Sequence, residues 1–309
     1  MKIAANMLEL IGHTPLVCLN KLSEPDGARV YVKLEGFNPG GSIKDRPGLF
    51  MIEYAESRGL IQADSIILEA TSGNTGIGLA MAAALKGYPI VIVMPENMSI
   101  ERMKILKTYG AELVLTPAQQ GMAGAVEKAR QMAALNPRFY LVKQFENEAN
   151  ALSHEVKTAP EIVQQMDGHL DALVCGVGSG GTITGLGRAL KKAIPGIKII
   201  AVEPFNSQVL AGKPAGPHKI QGIGAGFVPQ LLNLSVIDKI IPVRDDDAIN
   251  TCRRLAREEA MLLGISSGAA VWAALELARS MVKKDRILAI APDGAEKYMS
   301  TELFNEGEL

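Results

Sequence analysis

No apolar run in the sequence approaches the roughly 18 uninterrupted residues of a membrane span, and Met1 to Leu10 is broken by polar and acidic residues. Neither a membrane segment nor a signal peptide is therefore expected. Cysteine is scarce. Cys18, Cys175 and Cys252 are odd in number and far apart, with no Cys-x-x-Cys, and His13, His154, His169 and His218 do not cluster. A disulfide framework and a metal site are both excluded on that spacing, which leaves a reducing, cytoplasmic setting as the default. An excess of one charge is lacking too, with 32 Lys+Arg against 33 Asp+Glu. Without a net basic field there is nothing to draw in nucleic acid or an anionic membrane.

What is present is globular. At 309 residues the chain is long enough for two lobes, each with its own core, and 48% hydrophobic against 21% charged residues can fill them. Thirty-one glycines without a collagen period point to tight turns and glycine-rich loops. Short apolar runs at Val30 to Leu34, Ser65 to Glu69, Ile90 to Met94, Glu112 to Leu115 and Phe139 to Val142 alternate with amphipathic stretches at Thr75 to Leu85, Ile100 to Tyr109 and Met122 to Leu135. A second series has helix Glu148 to Met166, strand Ala172 to Cys175, helix Thr182 to Ala193 and strand Ile197 to Val202. After an irregular loop, Gly212 to Pro229, come strand Ile237 to Val243, helices Asp246 to Leu263 and Ser267 to Lys283, and strand Arg286 to Ile290. This alternation predicts an α/β protein of two three-layer α/β/α lobes with mostly parallel sheets. Residues 40–145 form the smaller lobe, and 1–39 with 146–309 the larger. Open sheets of this type bind ligands at the carboxyl ends of their strands.

Four loop-to-helix junctions stand out. In Asn38-Pro39-Gly40-Gly41-Ser42-Ile43-Lys44-Asp45-Arg46, two glycines precede a capping-box-like Ser-x-x-Asp, and Lys44 sits where loop becomes helix. The partial positive charge of a helix start disfavours a second cation, so the neutral amine is favoured, the form needed for a Schiff base. Pro47 sets the helix start as late as Arg46 or Pro47. Thr71-Ser72-Gly73-Asn74-Thr75-Gly76 offers hydroxyls, an amide and spare N–H groups to a small anion such as a carboxylate, beyond what a helix cap needs. Gly176-Val177-Gly178-Ser179-Gly180-Gly181-Thr182 satisfies GxGxxG, with Glu203 22 residues past Gly181, and so admits a nicotinamide-dependent oxidoreductase. Its extra hydroxyls at Ser179 and Thr182 suit a phosphate monoester better than a bridging pyrophosphate. Gly264-Ile265-Ser266-Ser267-Gly268 carries two hydroxyls at a helix start, one more than a cap requires. A phosphate cradle, a carboxylate cradle and an imine-forming amine together fit pyridoxal 5′-phosphate acting on an α-amino acid.

The stretches IGHTPLV from Ile11, PGGSIKDR from Pro39, EATSGNTGIGLA from Glu69, PENMSIER from Pro95, GVGSGGTITG from Gly176, KIQGIGAGFVP from Lys219 and GISSGAA from Gly264 extend over nearly the whole chain. In these the sequence resembles the cysteine synthases (O-acetylserine sulfhydrylases), fold-type II pyridoxal-phosphate enzymes with a tryptophan synthase β-like fold. The resemblance implies β-replacement of O-acetyl-L-serine by sulfide, through an α-aminoacrylate, to give L-cysteine and acetate. It implies that Lys44 bonds the cofactor and acts as catalytic base, that Asn74 meets the ring hydroxyl, and that Gly178, Ser179, Gly180, Gly181 and Thr182 hold the phosphate. Ser266 would face the ring nitrogen, and Thr71, Ser72, Thr75 and Gln144 the substrate carboxylate. Family habit adds a homodimer and a docking serine acetyltransferase C-terminal tail. A cystathionine β-synthase-type reaction of serine with homocysteine shares the same loops. The Gln144 to Pro160 segment departs from the family pattern at Glu148, Ala151, Lys157 and Ala159, and Lys297 stands where arginine is common.

Overall fold

A computed structural model describes residues 3–304. In chain order the elements are β1 (Leu16–Cys18), β2 (Arg29–Leu34), α1 (Asp45–Ser57), β3 (Ile66–Ala70), α2 (Asn74–Lys86), β4 (Ile90–Pro95), α3 (Ile100–Thr108), β5 (Glu112–Thr116), α4 (Gly121–Leu135) and β6 (Phe139–Leu141). There follow α5 (Glu148–Ser153), a π-turn at His154–Thr158, α6 (Ala159–Gln165), β7 (Ala172–Gly176), α7 (Gly181–Ala193), β8 (Lys198–Pro204), β9 (Lys239–Val243), α8 (Asp245–Glu259), α9 (Ile265–Ala278) and β10 (Arg286–Ala291).

Two sheets result. One has the order β1-β2-β10-β7-β8-β9 and the other β5-β4-β3-β6. Every pairing is parallel except β1 with β2. Central strands such as β4 (IVIVMP) and β10 (RILAIA) are nearly all apolar because helices cover both of their faces. The apolar core is accordingly split into clusters on either side of each sheet. Consecutive strands β2, β10 and β7 lie side by side, so the lysine loop, the turn after β10 and the glycine loop after β7 all open at one edge.

Several expected boundaries move. Strand β1 is too short to show alternation in the sequence, and it is antiparallel at the sheet edge. The expected helix Glu148 to Met166 is interrupted by the π-turn just ahead of Pro160, which has no N–H to continue a regular ladder. Helix α8 stops at Glu259 rather than Leu263, because Ala260 turns left-handed (φ 57°). Helix α9 starts at Ile265, two residues before the expected Ser267, so Ser266 and Ser267 both lie in its first turn.

Candidate active site

The lysine loop is built from local hydrogen bonds. Gly41 (φ +76°) closes a turn by donating its N–H to Asn38 O at 2.8 Å. Ser42 Oγ accepts the Lys44 N–H (3.2 Å), and the Asp45 carboxylate accepts the Gly40 N–H (2.6 Å). In place of the expected box's three-residue reach stand one shorter and one longer bond, over two and five residues. Helix α1 begins at Asp45, not at Arg46 or Pro47. Pro47 falls in the first turn, where its missing N–H had no intrahelical partner anyway. Glycine is needed beside this start, since a Cβ at Gly78 of α2 would sit 2.5 Å from Lys44 O.

Arg46, one turn in, anchors the loop. Its guanidinium donates to Glu35 (2.7 and 2.9 Å) and to Glu161 of α6 (both 2.8 Å), and Lys33 joins the same Glu161 at 3.1 Å. Lys33, Glu35 and Arg46 are buried and Glu161 is partly exposed, and the Arg46 pairing holds the Glu161 carboxyl down at about 2.

Lys44 Nζ lies 3.5 Å from Ser179 Oγ, inside a cavity of about 330 Å³. Enclosure by protein lowers its pKa, and this desolvation favours the neutral amine. Cys175, also lining the cavity, is pushed up to about 12 by burial and stays a thiol.

The Thr71 to Gly76 loop forms the opposite wall. Helix α2 starts with no side-chain cap, so its first N–H groups stay available to an anion. Thr75 Oγ1 donates to Gln144 Oε1 (2.7 Å), leaving the Gln144 amide nitrogen for other acceptors. Gln144 is itself held from behind. Glu69 at the end of β3 accepts the backbone N–H of Lys143 (2.8 Å) and of Gln144 (3.4 Å), across a turn in which Lys143 takes φ +59°. Glu69 is only 2% exposed, and burial pushes its carboxyl up to about 8.

The third wall is the loop Gly176 to Thr182. Gly180 adopts φ +83°, and α7 begins without a side-chain cap. A Cβ at Gly178 would run into the Gly222 carbonyl, and one at Gly181 into the Asn150 amide. Asn150 Nδ2 donates to Ser179 Oγ (3.1 Å), and Thr182 Oγ1 lies 3.3 Å from His154 Nε2. Glu203 does not behave as a ribose ligand, because its carboxylate is buried and accepts the Leu210 N–H (2.8 Å).

All of the sequence-derived site residues line this one cavity except Gly181, whose backbone sits at the start of α7. The two serines of α9 are distinguished. Ser267 Oγ donates to Asp293 O (3.3 Å), a structural bond, whereas Ser266 lines the cavity. Sequence reasoning missed Asp293, Tyr298, Asn150 and Phe145. Asp293 follows the carboxyl end of β10, where the strand-end rule for ligand sites would have pointed.

The residues fit pyridoxal phosphate. The Lys44 amine is enclosed, two helix starts offer free N–H groups, and the buried Asn74 Oδ1, Asn150 Oδ1 and Asp293 Oδ1 have no partner among the described residues. Among these residues no three metal-ligating side chains gather.

Residues 7–293 match the family of pyridoxal-phosphate dependent enzymes. A curated cysteine synthase of Staphylococcus aureus is 50% identical over 301 residues, 97% of each chain. The crystal structure of a cysteine synthase from Entamoeba histolytica superposes with TM-score 0.95 at 43% identity, covering 98% of this chain and 91% of that one. An O-acetylserine dependent cystathionine beta-synthase from Helicobacter pylori gives 0.93 at 39% identity, over 99% of this chain and 100% of that one.

Proposed function

Since this chain belongs to the pyridoxal-phosphate-dependent enzymes of fold type II, we infer that it is a cysteine synthase in activity, converting O-acetyl-L-serine and sulfide to L-cysteine and acetate. The observation that carries the reading is the enclosed, pKa-lowered Lys44 amine between two uncapped helix starts. Bound pyridoxal phosphate supplies an aldehyde that captures amines and a ring that draws electrons from the substrate α-carbon. Gly178, Ser179, Gly180, Gly181 and Thr182 hold its phosphate, Asn74 its ring hydroxyl and Ser266 its ring nitrogen. Thr71, Ser72, Thr75 and Gln144 hold the substrate carboxylate. With the substrate so oriented, the neutral Lys44 amine takes the α-proton as acetate leaves Cβ, and it returns a proton to Cα after sulfide adds at Cβ. Ser266 cannot serve as an anionic partner for the ring nitrogen, which favours elimination over transamination. The test is direct. O-acetylserine plus sulfide should give cysteine, and borohydride should fix the cofactor to Lys44.

A second reading, β-replacement giving cystathionine, has support in the Helicobacter pylori relative. Homocysteine offered with serine or O-acetylserine separates it, since a cysteine synthase prefers sulfide.

We also propose a smaller lobe at residues 40–145 and a larger one at 1–39 and 146–309. The distribution of β3–β6 and of the remaining strands between the two sheets supports the division. A cytoplasmic homodimer able to bind the C-terminal tail of a serine acetyltransferase completes the reading, to be checked by light scattering and a peptide titration. No helix of the described residues is long and apolar enough to cross a membrane.

A further inference from the structure

Resting on the cofactor reading above, we propose that Asp293 is a positioning residue: by accepting one N–H of the Asn74 amide it fixes which way that amide faces and reserves the other N–H for the cofactor's ring oxygen.

The backbone of Asp293 is pinned from two sides. Ile43 of the lysine loop donates its N–H to Pro292 O (2.8 Å), and Gly264 donates to Asp293 O (3.1 Å). Its carboxylate, 1% exposed and lining the cavity, then reaches from the six-stranded sheet to the first residue of α2 beside the four-stranded one. There Asn74 Nδ2 donates to Asp293 Oδ2 at 2.7 Å. Tyr298 OH donates to the same oxygen, also at 2.7 Å, which marks that oxygen as an acceptor. Burial raises the pKa of this carboxyl, and Lys297, the Tyr298 and Asn74 hydrogen bonds and Arg102 act in the opposite sense, favouring its charged form.

The direction of the Asn74 amide follows. Reversed, it would set a carbonyl oxygen against a carboxylate oxygen at hydrogen-bond distance with no proton between them. A buried amide left free to turn would present donor and acceptor to the ring oxygen in alternation, and only the donor suits a ring oxygen that has given up its proton. The same carboxylate is tied to the substrate loop. Arg102 stacks over the Tyr298 ring (5.7 Å) and donates to Ser72 O (3.4 Å).

The test reads the absorption of the purified holoenzyme, in which loss of the donor shifts the cofactor from its visible to its near-ultraviolet band. Asp293→Ala should lower the ratio of the two bands about three- to tenfold, the worth of one hydrogen bond. Asp293→Asn, whose single carbonyl oxygen can accept from both Asn74 and Tyr298, should keep it within about twofold of the parent. An unchanged ratio in Asp293→Ala, or an Asn variant as affected as the Ala variant, overturns the assignment. Should the Ala variant not fold, nitrogen-15 NMR of asparagine side chains in the holoenzyme decides. The amide signal lost in Asn74→Ser should lie downfield in the parent and move upfield in Asp293→Asn, and no movement sinks the idea. A parent protein without a visible, borohydride-sensitive band would overturn the cofactor reading itself.

Discussion

Glu69 gives the sharpest stability prediction, because its carboxyl is almost fully buried, its hydrogen bonds come from backbone N–H groups and the Gln144 amide, and the Glu146 charge adds to the cost of ionising it. Burial raises its pKa from 4.5 to about 8. The folded chain therefore holds a proton that the unfolded chain has released between those values, so stability falls as pH rises through the window. Worked through the linkage relation, the fall between about pH 5 and about pH 8 is roughly 3 to 4 kcal/mol from this group alone. Asp45, raised to about 6, adds a fall of the same sign, while Glu161, held at about 2, contributes nothing that changes in this range. Urea unfolding of the parent and of Glu69→Gln at both pH values separates Glu69 from the rest. The parent should lose roughly 3 to 4 kcal/mol more than the variant over the interval. Equal losses in the two proteins would refute the protonated, buried Glu69.

Lys44→Ala should abolish both the visible cofactor band and cysteine formation, as followed by absorbance and product assay. Gly178→Ala drives a Cβ into the Gly222 carbonyl and should weaken cofactor binding about tenfold or more, read by titrating apoenzyme with pyridoxal phosphate. Arg46→Met strips the shared partner from Glu35 and Glu161 and should cost about 3 to 5 kcal/mol in urea unfolding. Ser266→Asp should raise the ratio of transamination to elimination, scored by keto-acid release, and an unchanged ratio would contradict the role given to the neutral hydroxyl.

The alternation of apolar runs and amphipathic stretches, read as a helix-covered parallel sheet, corresponds to the two sheets observed, because such strands are apolar along their whole length. The chemistry-bearing loops were equally legible. Glycine pairs, hydroxyls and the lysine at a helix start are local features whose spacing survives in one dimension, and Lys44, Asn74 and Thr182 do converge on one cavity. The Ser42 to Asp45 box was misread because either partner can satisfy a different nearby N–H, and only the path of the backbone chooses. The residues of the Gly264 to Gly268 loop alone did not separate Ser266 from Ser267, and the choice of Ser266 came from the resemblance. In the structure the Asp293 carbonyl after β10 engages Ser267.

Sequence alone thus determined the fold class, the amine and the three loops around it, since each is written in contiguous residues. Tertiary structure alone decided how those parts are braced. The bond from Asn74 to Asp293 spans 219 positions and that from Gln144 to Glu69 spans 75. Pairings at such separations depend on how two sheets and their helices pack, and no local periodicity records that.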